Sequence, residues 1–272
     1  MKKIFALVFF LSVILWGSEL TFATWNLRWQ SKGDKENGNG WDKRVKPISD
    51  VINFYDFDIV NTLENSETHA RDLMPYLPDY EIIQIDTLEH NAILLKKRKL
   101  EVIKKGRFYL SKTPKKRSKS WDSKHTRSCT WVKLKHQETI FFVFNVHFDY
   151  HGKNAQFESA KLMSKQIVSI AGSNHFIFAG DLNFVENSPA YQELFHCVKL
   201  SNAKEKASFV YIPNNSYNYF NPQKYSKWQF DHIFTDKNAV ILKYGILNEQ
   251  YYDGETYRYP SDHQPVMIKF QW

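Results

Sequence analysis

The chain alternates between short runs of β-forming residues and a few stretches with helical spacing. "LTFATWNL" alternates and predicts a first strand ending near Asn26. In "WDKRVKPISDVINFY" the apolar positions Val45, Ile48, Val51, Ile52 and Tyr55 predict an amphipathic helix, with Pro47 near its first turn. "FDIVNTL" reads as the next strand. "YEIIQID", "NAILLKK" and "LEVIKKG" read as a meander. "CTWVKLK" and "TIFFVFNVHF" read as a hairpin across "HQE". "NAQFESAKLMSKQIVSIAG" is the clearest helix and should stop at Gly172. "HFIFAGDL" predicts a buried strand, and "WQFDHIFTD", "VILKYGIL" and "PVMIKFQW" close the chain as strands.

The N-terminus departs from this pattern. Lys2 and Lys3 precede an apolar run from Ile4 to Trp16, followed by the small residues Gly17 and Ser18. That order predicts a secretory leader over residues 1–18, with an uncleaved anchor as the alternative. The mature protein is then one domain over residues 19–272, periplasmic or secreted. No second long apolar run follows, so no stable membrane insertion is expected after the leader is removed. A monomer is the default.

The chain has 272 residues, a formal net charge of +8 and a pI near 9.2. That charge points to an anionic partner: nucleic acid, a phosphate ester or a membrane surface. The plainer alternative is solubility alone. The stretch "KTPKKRSKSWDSK" carries Lys115, Lys116, Arg117 and Lys119. It reads either as a solvated loop or as a nucleic-acid surface, with Trp121 available for stacking. The two cysteines, Cys129 and Cys197, do not make a disulfide scaffold. Cys129, inside a strand, is at least as well explained by a buried free thiol.

Polar residues recur where apolar strands end. Asn26, Glu64, His147, Asp181 and Asn183 follow this rule. Asp231 sits between "WQF" and "HIF", and Asp262 and His263 precede the last strand. One such residue usually marks a turn. A set of them converges on one rim if the strands form packed sheets. Glu64 and Asp262 would then suit a hard divalent cation, which prefers oxygen ligands. Asp181 would orient or deprotonate water, Asn183 would hold that water or a phosphate oxygen, and His147 and His263 would donate protons. No thiol cluster, His-Glu-x-x-His motif or P-loop is present, which argues against zinc proteolysis and P-loop nucleotide chemistry.

Together these motifs resemble the endonuclease/exonuclease/phosphatase superfamily, whose best-known nuclease is deoxyribonuclease I. "TWNLR", "DIVNTLE", "NVHFD", "GDLN", "FDHIF" and "YPSDHQPV" follow that superfamily's order over nearly the whole mature chain. "NLRWQSKGDKENGNGWDKR" and "GRFYLSKTPKKRSKSWDSKHTRSCTW" are similar to a bacterial subgroup of it. The resemblance implies a four-layer α/β sandwich, two packed and mostly antiparallel sheets flanked by helices. It implies that Glu64 binds magnesium, manganese or calcium, with Asn26 nearby and Asp262 as a second or water-mediated ligand. It pairs His263 with Asp231 and His147 with Glu89, and it makes Arg127 a phosphate contact. The superfamily usually has Gln before the metal-binding Glu; here Leu63 precedes Glu64 and Asn65 follows it.

The leading expectation is a metal-dependent phosphodiesterase, a secreted nuclease acting on DNA more than RNA. The alternative is a phosphatase or a lipid or inositol-phosphate phosphodiesterase of the same superfamily. A non-catalytic binding protein or toxin subunit is the third reading.

Overall fold

Side chains along each strand alternate between two apolar environments, and this alternation sets the layers. The computed structural model describes residues 18–272, so the expected leader falls, apart from Ser18, outside the described residues. In chain order the elements begin with β1 (Leu20–Asn26), α1 (Lys32–Glu36), α2 (Trp41–Tyr55), β2 (Ile59–Leu63), α3 (Glu67–Leu73), β3 (Tyr80–Gln84), β4 (Ala92–Lys96) and β5 (Glu101–Tyr109). Next come β6 (Ser128–His136), β7 (Thr139–His147), α4 (Lys153–Ala171), β8 (His175–Asp181), α5 (Pro189–Cys197), β9 (Leu200–Asn202) and α6 (Ala203–Lys206). The last are β10 (Phe209–Tyr211), β11 (Asp231–Asp236), β12 (Val240–Ile246), β13 (Tyr251–Tyr252), β14 (Tyr257–Arg258) and β15 (Val266–Gln271).

A seven-stranded sheet has the order β10-β12-β15-β1-β2-β4-β3, and a six-stranded sheet the order β5-β6-β7-β8-β11-β9. Among the described residues only β1–β2, β10–β12 and β7–β8 pair in parallel. Phe22, Ile59, Val143, Ile177, Ala179, Ile233 and Ile268 fill the space between the sheets. On the outer face of the first sheet, Ala23, Trp25 and Val60 pack against Trp41, Ile48 and Ile52 of α2. On the outer face of the second, Phe142, Phe144 and Phe178 pack against Met163 and Ile167 of α4 and Leu194 of α5. The result is the expected four-layer α/β sandwich.

The period-2 alternation also positions the site. Asn26 shares its face of β1 with Phe22, and His147 shares its face of β7 with Val143. Asp181 follows Ile177 and Ala179 in the same way, and Asp231 precedes Ile233. All four therefore lie at one rim of the inter-sheet core. Gly180 makes this packing possible. Its φ is 154°, and a Cβ there would lie 1.8 Å from the Val146 carbonyl oxygen.

Some expected details are corrected. β3 and β4 form an antiparallel pair, but β5 belongs to the other sheet and pairs with β6, so the meander ends after two strands. Pro47 lies inside α2 rather than in its first turn. The carbonyl it leaves without an amide partner is that of Lys43, an exposed residue that water can reach. β11 starts at Asp231, because the Ser216 hydroxyl accepts the amides of Phe230 and Asp231. α1, α3, α5, α6, β9, β10 and the β13–β14 hairpin had no clear periodic signal. Cys129 is a free, buried thiol. Among the described residues no helix is long and apolar enough to cross a membrane.

Candidate active site

Register brings three functional side chains together. In the parallel pair β7–β8, His147 lies beside Asp181, and in the antiparallel pair β8–β11, Asp231 lies on the other side of Asp181. The turn before β15 adds Asp262 and His263. The Ser261 hydroxyl, donating to the Asn26 carbonyl at 2.6 Å, and Trp25 Nε1, donating to the His263 carbonyl at 2.8 Å, tie that turn to β1.

Two imidazoles approach one carboxylate oxygen. Asp181 Oδ2 lies 3.4 Å from His147 Nε2 and 3.7 Å from His263 Nε2. Behind His263, Nδ1 is 2.7 Å from Asp231 Oδ2, the pairing expected from the sequence. Burial opposes a charge on His263, but Asp231 and Asp181 outweigh it and push the imidazole up to about 10. Behind His147, Nδ1 is 2.9 Å from Arg127 Nη1. A guanidinium only donates, so this Nδ1 accepts and the ring proton sits on Nε2, facing Asp181. Burial, and then the charge of Arg127, hold His147 well below its ordinary value. Burial pushes the Asp181 carboxyl up.

The expected Glu89–His147 pairing is therefore corrected. Arg117 Nε donates to Glu89 at 2.9 Å, and Arg127 occupies the back of His147. Glu89 still lines the cleft, and burial raises its carboxyl to about 7.

Asn26 links this floor to a second set of oxygens. Its Nδ2 donates to Asp181 Oδ2 at 3.1 Å and to Glu64 Oε1 at 3.0 Å. The Trp29 amide donates to Glu64 Oε2 at 2.6 Å. Burial alone would raise Glu64, but these two hydrogen bonds, with the charges of His263 and Arg28, outweigh it and lower the carboxyl. Glu64 and Asn183 both adopt left-handed backbone, with φ of 53° and 52°. Non-glycine residues seldom adopt this conformation away from functional sites and turns. The Asn183 amide donates to Asp181 Oδ1 at 3.0 Å, and its carboxamide donates to the Phe148 carbonyl at 3.0 Å. Asp262 Oδ2 is 3.4 Å from Arg28 Nη1, while its buried Oδ1 has no hydrogen-bond partner. Burial raises the Asp262 carboxyl.

Two oxygen-rich sets could hold a divalent ion. Asp181, Asp231 and His263 place ligand atoms within 4.8 Å of one another. Glu64 and Asp262 flank Arg28 next to them, with Asn26 as the bridge. Asp181, Asp231 and Asp262 are buried and Glu64 is half-buried, and a cation would neutralise these carboxylates, so the donor chemistry fits the metal dependence expected from the sequence.

These groups form the floor of a cleft of about 960 Å³. Of the four basic loop residues, only Arg117 lines it. Lys115 and Lys116 line a separate recess with Trp131, and the Lys119 ammonium donates to the Lys124 carbonyl at 3.2 Å.

The sequence reading did not single out several contributors. Arg28 and Trp29 follow Asn26 within two and three residues, but they act through an Asp262 contact and a backbone amide. Asp149 stands inside the quoted "NVHFD". Its Oδ2 accepts the amides of Lys124 and His125, and its Oδ1 those of His151 and Gly152. It thereby fastens the end of the basic loop, two residues before Arg127, to the start of α4. Burial would raise Asp149, but these amides lower it to about 2.

Comparisons with known proteins agree with this fold. Residues 23–263 match the endonuclease/exonuclease/phosphatase family pattern. A Bacteroides thetaiotaomicron protein of that family is 32% identical, with a TM-score of 0.89 over 94% of this chain and 98% of that one. A mannosyl-6-phosphatase from Bacteroides thetaiotaomicron is also 32% identical, with a TM-score of 0.89 over 93% of this chain and 100% of that one. D. rerio TDP2, solved with a single-strand DNA product, has a TM-score of 0.72 at 16% identity over 94% of this chain and 100% of that one, a likeness of fold. No curated protein matches the sequence. With its two sheets, flanking helices and buried acid–histidine floor, the chain belongs to the endonuclease/exonuclease/phosphatase family.

Proposed function

We propose that this protein is a metal-dependent phosphatase that hydrolyses the phosphate monoester of a small polar alcohol. The observation that carries this reading is the lining of the cleft. Its only basic-loop residue, Arg117, is paired with Glu89, and Lys115 and Lys116 line a separate recess, so this part of the basic run does not converge on the cleft. The mannosyl-6-phosphatase relative supports the same choice over the nuclease expected from net charge.

The residues suit the chemistry. Glu64 and Asp262 would hold the divalent ion, since Asp262 Oδ1 is buried without a partner. His263 is a poorer ligand, because as the cation its ring has no free lone pair. The bound ion supplies charge neutralisation at the phosphoryl oxygens. Asp181, its carboxyl raised by burial, takes a proton from the attacking water. The water oxygen bonds to phosphorus as the bond to the leaving oxygen breaks. His263 gives its proton to that oxygen, and the Nε2–H of His147, with Arg127 behind it, donates to a phosphoryl oxygen. Export to the periplasm or medium rests on the predicted leader and belongs to the same proposal.

The test is a substrate panel with purified mature protein: sugar phosphates, inositol phosphates, sphingomyelin, plasmid DNA and RNA, each with magnesium or with chelator. Phosphate release from small monoesters, lost with chelator, is the expected result. Plasmid or RNA cleavage without monoester hydrolysis would restore the nuclease reading, which the +8 charge favours.

A further inference from the structure

Residues 212–230 connect β10 to β11 with neither helix nor strand. Connections beyond roughly 12–15 residues without structure of their own are uncommon in compact domains and are often functional. Burial in this segment runs opposite to polarity. Ser216 is 0% and Asn218 1% exposed, whereas Tyr219 is 44% and Trp228 42% exposed. The usual ranking puts the aromatics inside and the amides outside.

Hydrogen bonds fix the inversion. Ser216 Oγ accepts the amides of Phe230 at 3.1 Å and Asp231 at 3.2 Å, and the Ser216 carbonyl accepts the Gln264 amide at 2.6 Å. The Asn218 amide donates to the Asp262 carbonyl at 2.7 Å, and Asn218 Nδ2 donates to the Ser261 carbonyl at 3.0 Å. Asn214 Oδ1 accepts the Ser226 amide at 2.8 Å. The segment is thus anchored to the turn that carries Asp262 and His263. Its rings Tyr217, Tyr219, Trp228 and Phe230 line the cleft. The Tyr217 ring is 4.9 Å from that of His263, and the Trp228 and Phe230 rings stack at 6.0 Å.

A different chemistry reaches the same centre from His147. There Arg127 backs the imidazole, and the Arg117–Glu89 pair lines the cleft, with the Glu89 side chain only 5% exposed. A phosphoryl group uses a small part of about 960 Å³. The remainder offers an aromatic wall and an ion pair between the exposed Arg117 and the buried Glu89 carboxylate. A pyranose has matching features, an apolar C–H face and an edge of hydroxyls.

We infer, resting on the phosphatase reading above, that residues 212–230 form a fixed platform for the ring of a sugar phosphate, with Trp228 and Tyr219 against its C–H face and Arg117 and Glu89 taking its hydroxyls. Holding the rings in place beforehand removes the ordering cost of a flexible wall.

The test compares mannose 6-phosphate with glycerol 3-phosphate and adenosine 5′-monophosphate, using wild type, Trp228→Ala, Tyr219→Ala and Glu89→Gln. Both aromatic side chains are well exposed, so the truncations should fold. Each is expected to lower kcat/KM for mannose 6-phosphate at least tenfold and for glycerol 3-phosphate less than threefold. Glu89→Gln should raise KM for the sugar phosphate with little change in kcat. Free mannose, and not glycerol, should inhibit competitively. Equal losses on both esters, or no loss on either, would overturn the platform while leaving the phosphatase reading intact. Preference for the nucleotide would replace the sugar with a base. Failure to hydrolyse any monoester would remove both readings.

Discussion

The two sides of Asp181 present the same ring to the same oxygen and leave it in opposite charge states. On one side Asp231 lies behind His263, and on the other Arg127 lies behind His147. Both rings are buried, so desolvation alone would leave each neutral. The Asp231 carboxylate behind His263 outweighs that cost together with Asp181, and the guanidinium behind His147 adds to it. The difference shows that the role of a buried imidazole is set by the group behind it. One ring is held charged, the other neutral with a fixed tautomer.

The comparison breaks most completely if the shared oxygen loses its charge. Asp181→Asn keeps the shape but removes both the base and the counter-charge between the rings. A fall in kcat on the order of 10³–10⁴-fold is expected, with Tm near that of wild type. Retention of more than a tenth of the activity would mean that Asp181 is not the base. Asp231→Asn acts on one side only. His263 then loses its main support as a cation, and kcat should fall roughly 10²–10³-fold. The alkaline limb of the pH–rate profile should also move to lower pH, because a smaller fraction of the rings stays protonated. An unmoved limb would assign the acid to another group.

Arg127→Met sharpens the other side, with a smaller effect of roughly 10–100-fold on kcat. The Nδ1 of His147 loses its donor, so either nitrogen can carry the proton. Ring ¹⁵N shifts should report mainly the Nε2–H form in wild type and a mixture in the variant. Arg127→Lys, which restores a donor, should recover part of both. A variant with unchanged shifts would show that Arg127 contacts phosphate without orienting the ring.

How much of this contrast was legible in the sequence depends on how each residue acts. Asn26, His147 and Asp181 each end an apolar strand, and strand alternation alone puts them on the inner face. The sheet to which β5 belongs was not legible, because "LEVIKKG" has the same local pattern in either sheet and only pairing with β6 decides it. Glu89 was visible as a carboxylate near the right strand. Order along the chain could not say that Arg117 would capture it and Arg127 would take its expected place. Arg28 and Trp29 contribute through an ion contact and an amide after a left-handed turn, which no periodicity marks. The aromatic segment at residues 212–230 was not legible for a related reason. Its rings are held outward by buried Ser and Asn side chains, so no apolar period exists to detect.

The smallest expected effect is on stability, and there the two histidines should pull at opposite ends of the pH scale. His263 titrates higher in the folded chain, at about 10, than its ordinary value of 6.5. Its contribution is fully present below 6.5 and is lost as pH rises through 10. His147 titrates lower in the folded chain than 6.5. The unfolded chain therefore binds a proton more readily, and the contribution of His147 is present above 6.5 and lost as pH falls below it. Each limb should appear as a fall in Tm. In chelator, which keeps the neighbouring carboxylates free of metal, Tm of the wild type and of each histidine variant is compared from pH 5 to pH 9.5. His147→Gln should flatten the acid limb alone, and His263→Gln the alkaline limb alone. If either variant flattens both limbs, the two rings titrate as one unit through Asp181, and their opposite charge states are a property of the pair rather than of the group behind each.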